Sequence, residues 1–128
     1  MKNKTHLTLL ENIFRRVKNM REAGQKEYAQ DEDNCFANFE RIAKLQDISR
    51  EQVLLTYLFK HIDGIASHIK GHTSQREDVR GRITDAIVYL TLLWGMIDQN
   101  DYVYEGIPEE KPKKFKVQGY DSNGNKTG

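Results

Sequence analysis

The sequence predicts an all-α protein, a four-helix bundle-like core followed by an irregular C-terminal tail. Three observations predict it. Apolar residues recur at three- and four-residue spacing in four separate segments, the period of a helix with one buried face. Helix start and stop signals fall between those segments. Both prolines, Pro108 and Pro112, come after residue 100, so the segments lack the residue that most disrupts a helix interior.

The first helix is expected from about Thr5 to Glu22, with Leu7, Leu10, Ile13, Phe14, Val17 and Met20 on one stripe. Gly24 is expected to end it, and the polar residues 25–33 read as a loop. Asp33 or Asn34 caps a second helix to about Leu45, which buries Phe36, Phe39, Ile42 and Ala43. Ser49 and Gln52 fit a capping box for the third helix. That helix places Leu54, Leu58, Ile62, Ile65 and Ile69 on one face and stops at Gly71. The fourth runs from about Gln75 to Ile97, with Val79, Ile83, Ala86, Leu90, Leu93, Trp94 and Ile97 inward. Residues 1–100 thus form a helical domain, and 101–128 a tail or oligomerisation arm. Phe115, Val117, Tyr120 and the Asn123-Gly124 turn signal allow a short β-hairpin there.

Bulk composition narrows the function. A chain of 128 residues with 38% hydrophobic and 30% charged residues suits one globular domain. A net charge of +1 gives no global field for nucleic acid or membrane. The single cysteine, Cys35, excludes a disulfide framework and a cysteine zinc cluster. The stretch Ile83–Ile97 is interrupted by Thr84 and Asp85 and is too short to span a bilayer. Leu7–Leu10 is too short for a secretory core, so a cytoplasmic protein is expected. The lysines between Lys111 and Lys116 read as a solubilising linker.

The candidate chemistry lies on two helices. On the fourth, Asp78, Arg82, Asp85 and Tyr89 form a stripe at spacings of four, three and four, close enough to interact. Functionally, Asp85 holds a metal there and Arg82 meets a phosphate. The bland reading is a boundary ion-pair network. On the third helix Thr56, Lys60, Asp63 and Ser67 share a face that is either solvated or met by a second subunit. The run Asp31-Glu32-Asp33-Asn34 offers oxygen ligands for a hard cation, or a helix cap. His61, His68 and His72 lack convergent zinc spacing, and no phosphate-cradling glycine loop occurs.

Tyr28, Asp31 and Asp33, then Asn38-Phe39-Glu40-Arg41-Ile42-Ala43, then Lys60, then Asp85-Ala86-Ile87-Val88-Tyr89 stand in order between about Lys26 and Met96. In that pattern the chain resembles small phage and prophage proteins of the nucleotide modification associated and MazG-like groups, all-α nucleoside triphosphate pyrophosphatases. The resemblance implies an oligomeric helical core and a Mg²⁺-dependent (d)NTP pyrophosphohydrolase, with hydrolysis between the α- and β-phosphates. It implies Asp85, Asp63 and Glu27 as catalytic carboxylates, with Asp85, Asp63 and Asp33 on the metal. Lys60, Arg82 and Arg41 contact phosphate, and Tyr28 and Tyr89 stack on the ligand. The chain departs from the MazG-like pattern in two ways. It has no Glu-x-x-Glu in the helical core, and Arg82 stands where an acid is expected three residues before Asp85. Two other readings stay open: a non-catalytic phage protein that sequesters a nucleotide signal or inhibits a host defence protein, and an oligomeric interaction module without a small ligand.

Overall fold

The computed structural model describes residues 1–28, 33–72 and 77–101. The fold is all-α, with α1 (Asn3–Tyr28), α2 (Ala37–Gln46), α3 (Arg50–Ile69) and α4 (Val79–Asp101). Among the described residues no helix is long and apolar enough to cross a membrane. The expected hairpin near Phe115–Tyr120 lies outside the described residues, as do Asp31 and Glu32. The chain divides into two compact units, residues 1–93 and 94–128. In the second, Met96 is fully buried and Trp94 is exposed.

Local chemistry explains three of the helix ends. At the start of α3 the Ser49 hydroxyl accepts from the Gln52 N–H at 3.1 Å, and the Ser49 N–H donates to the Gln52 side chain at 2.9 Å. This is the capping box expected there. The α3 C-terminus also falls where expected, because Gly71 adopts φ 98°, a left-handed conformation cheap only for glycine. At the start of α4 the Asp78 carboxylate accepts from the Arg80 N–H at 2.8 Å. That fixes the start at Val79, later than Gln75.

Two expectations about helix ends need correction. α1 does not stop at Gly24 but continues to Tyr28. Gly24 does not adopt a left-handed φ, and the turn beyond it is tied down where the Gln25 amide donates to the Asn34 carbonyl at 3.4 Å. Nor does Asp33 or Asn34 cap α2, whose N-cap position is Phe36 without a side-chain cap. Asn34 instead organises the preceding turn, accepting from the Phe36 N–H at 3.0 Å and donating to Glu40 at 2.8 Å. Arg50 completes this knot, with a 2.8 Å ion pair to Glu40 and its guanidinium 4.9 Å from the Phe36 ring centroid.

The core of the first unit is Val17, Phe36, Phe39, Val53, Leu54, Leu58, Ala86 and Val88. It differs from the predicted stripes. Leu7 and Phe14 on α1, Ile62 and Ile69 on α3, and Ile83 and Leu90 on α4 are exposed. On α4 the buried face is Gly81, Thr84, Ala86 and Val88. Thr84 can be buried because its hydroxyl donates to the Arg80 carbonyl at 2.7 Å. The stripe of strongest hydropathy is therefore not the stripe that α4 turns toward the core.

Candidate functional site

Helices α3 and α4 meet along an antiparallel ladder, with numbers falling on α3 as they rise on α4. Tyr57 stacks on Tyr89 at 6.2 Å between ring centroids and 14° between planes. One turn on, the His61 Nδ1 lies 3.6 Å from the Asp85 carboxylate. One turn further, the Arg82 side chain lies over Gly64, where a Cβ would come within 2.6 Å of it. A Cβ at this position would push the flexible end of the arginine aside, so Gly64 is what lets that side chain lie across α3. Asp78, Arg82, Asp85 and Tyr89 were read as one stripe, and three of them form this seam.

Phe39 from α2 closes one end of the ladder edge-on, 6.2 Å from Tyr57 and 6.1 Å from Tyr89. The His61 ring is 5.6 Å from that of Tyr89, tilted by 31°. His61 is buried, and its Nδ1 has no hydrogen-bond partner among the described residues. A separation of 3.6 Å is beyond hydrogen-bond reach. Sequence reasoning missed His61 because it was weighed only with His68 and His72. Its signal was the Tyr57-His61-Gly64 spacing, which matches Arg82-Asp85-Tyr89 in reverse.

Beside the ladder is a cleft of about 260 Å³. The last two turns of α1 supply Arg21, Glu27 and Tyr28, the α2 region Cys35, Asn38 and Phe39, and α4 Asp85, Val88, Tyr89 and Leu92. The correction to α1 matters here, since without the turn past Gly24 there is no wall holding Glu27 and Tyr28. Burial pushes the Asp85 carboxyl above its ordinary pKa, and the charge of Glu77 adds to this. His61, Arg82 and Lys60 pull the other way. Burial also raises the Tyr89 phenol, with the Asp85 charge second. The exposed Tyr28 phenol is raised first by its hydrogen bond to Glu27.

Comparison with family models, curated proteins and solved structures finds no match.

The structure brings together Glu27, Tyr28, Asp85 and Tyr89 of the predicted residues. Arg41 lies at the edge, where its guanidinium donates to the Tyr28 carbonyl at 3.3 Å. Lys60 and Arg82 act on Asp85 through their charge but do not line the cleft. Arg82 is 3.9 Å from Glu77. Asp63 and Asp33 are exposed and do not line it. Among the described residues no three His, Cys, Asp or Glu side chains gather where they could share a metal ion. The expected trio Asp85, Asp63 and Asp33 is therefore not assembled. On α3 the reason is helical phase, because His61, two residues before Asp63, takes the place facing Asp85. The described residues do not fit a Mg²⁺ ligand set.

Proposed function

We propose that the protein binds a nucleotide or nucleotide-derived ligand in the α1–α2–α4 cleft, and holds it without metal-dependent hydrolysis. The observation that carries this reading is the convergence of Glu27 and Tyr28 with Asp85 and Tyr89, from chain positions nearly sixty residues apart, on one cleft. The lining chemistry suits a base better than a triphosphate. Tyr28 and Tyr89 offer ring faces, Asn38 an amide edge, and Asp85 and Glu27 acceptors for ring or exocyclic N–H groups. The same two carboxylates repel phosphate within the cleft. A volume of about 260 Å³ lies just below the about 300–1,000 Å³ usual for small-molecule sites. It suits a base and part of its sugar, with the phosphates left outward toward the exposed Arg41.

The resemblance to phage-type nucleotide-handling proteins points to the same ligand class, and the missing acid trio favours sequestration over pyrophosphate release. The test is isothermal titration with canonical triphosphates and cyclic signalling nucleotides, with and without Mg²⁺, and pyrophosphate assayed in the same samples. Binding without turnover, weakened at least tenfold in Asp85→Asn, is the expected result. Pyrophosphate release abolished by the same substitution would establish the hydrolase instead.

A further inference from the structure

Asp85 lines the cleft half-buried, yet among the described residues no hydrogen bond supports its carboxylate. The His61 Nδ1 that faces it stands 3.6 Å away, beyond hydrogen-bond reach, and has no partner there either. Glu27, the other carboxylate on the cleft, already accepts from the Tyr28 hydroxyl. Asp85 is therefore the uncommitted acceptor of the two. An ionised carboxylate only accepts, through two oxygens side by side. Partly withdrawn from water, it gains most from a ligand that brings N–H donors to both.

The common bases differ in what they show such a group. Adenine and cytosine each show an amino group beside a bare ring nitrogen, whose lone pair repels the second oxygen. Uracil and thymine show one ring N–H between two carbonyls. Guanine alone shows two donors side by side, N1–H and the 2-amino N–H, which match the two oxygens of one carboxylate. Its O6, next to N1, needs a donor, and the Asn38 amide on α2 lines the same cleft. We propose that the nucleotide held in the cleft is a guanine nucleotide, an inference that rests on the nucleotide reading above. Asp85 takes N1–H and the 2-amino N–H together, Asn38 donates to O6, and Tyr28 and Tyr89 offer ring faces to the purine.

Isothermal titration of the full chain without Mg²⁺ tests it. The series is the triphosphates of guanosine, inosine, xanthosine, adenosine, cytidine and uridine, with cyclic diguanosine and cyclic diadenosine monophosphates. A guanine compound should bind tightest. Inosine triphosphate lacks only the 2-amino group and should bind about fivefold or more weaker than guanosine triphosphate, the scale of a broken bidentate base contact. In Asp85→Asn the side chain offers one acceptor and one donor. That variant should lose guanosine triphosphate and gain xanthosine triphosphate, whose C2 carbonyl stands where guanine has its amino group. A misfolded chain would show no such gain. Equal binding of the guanosine and inosine compounds, tighter binding of another base, or a variant that gains no xanthosine binding would each overturn the guanine assignment and leave the nucleotide reading standing. Silence across the series would overturn both.

Discussion

Asp85 is a carboxylate held half-buried beside a buried imidazole, and its environment favours the protonated form. A carboxyl whose folded pKa lies above its unfolded value binds more protons in the folded state between the two values. Its contribution to stability is therefore most favourable below the ordinary pKa of 3.8 and is lost as pH rises through the raised value. Asp85→Asn removes that loss. In urea titrations across this range, the variant should gain on the wild type as pH rises, and the difference should level off once the wild-type carboxyl is fully ionised. A wild type that gains on the variant instead would mean that His61, Arg82 and Lys60 outweigh burial. Tyr89 is the other residue on which the site turns, with Phe39, Tyr57 and His61 around its ring. Aromatic pairs contribute about 0.5–1.5 kcal/mol each beyond area burial. Tyr89→Leu should therefore cost about 1–3 kcal/mol in a denaturant midpoint analysis and weaken ligand binding as well. Tyr89→Phe keeps the ring and is the control that separates stacking from the hydroxyl.

The helices show which parts of this arrangement were legible in the sequence. The α3 start could be read because a capping box is complete within four consecutive residues, Ser49 to Gln52. Its energetic weight can be stated too. Ser49→Ala should lower stability by about 1 kcal/mol, measured by urea denaturation. Because Ser49 is exposed, no lost packing complicates the result. The glycine at position 71 was equally legible, since its conformation is a local need. Gly24 has the same composition signal but lies in a continuous helix, and the Gln25–Asn34 contact that helps hold the following turn is nine residues long in sequence. The inward faces failed for a related reason. Periodicity finds the most apolar stripe of a helix, but burial is decided by what packs against it. On α4 the buried residues are Gly81, Thr84, Ala86 and Val88, beside the half-buried ladder of Arg82, Asp85 and Tyr89 against α3. The candidate site was partly visible, as the stripe holding those three residues. What could not be read was that α3 would answer with Tyr57, His61 and Gly64. Gly64→Ala tests that register. It should gain helix propensity worth up to about 1 kcal/mol but displace the Arg82 side chain. Since Arg82 lowers the Asp85 pKa, its displacement should raise that pKa further, read by NMR titration of the Asp85 carboxyl.

At the scale of the whole molecule, the cleft depends on three separate stretches of chain. It is lined by the end of α1, the α2 region and α4. Ligand that binds only the folded state stabilises it by about 2.7 kcal/mol at a hundred times its dissociation constant. For a chain of 128 residues that corresponds to a rise in melting temperature of roughly 10 °C. The nucleotide with the highest affinity should produce this shift equally with and without Mg²⁺, because the described residues provide no three-ligand metal set. A shift that requires Mg²⁺ would overturn the metal-free reading.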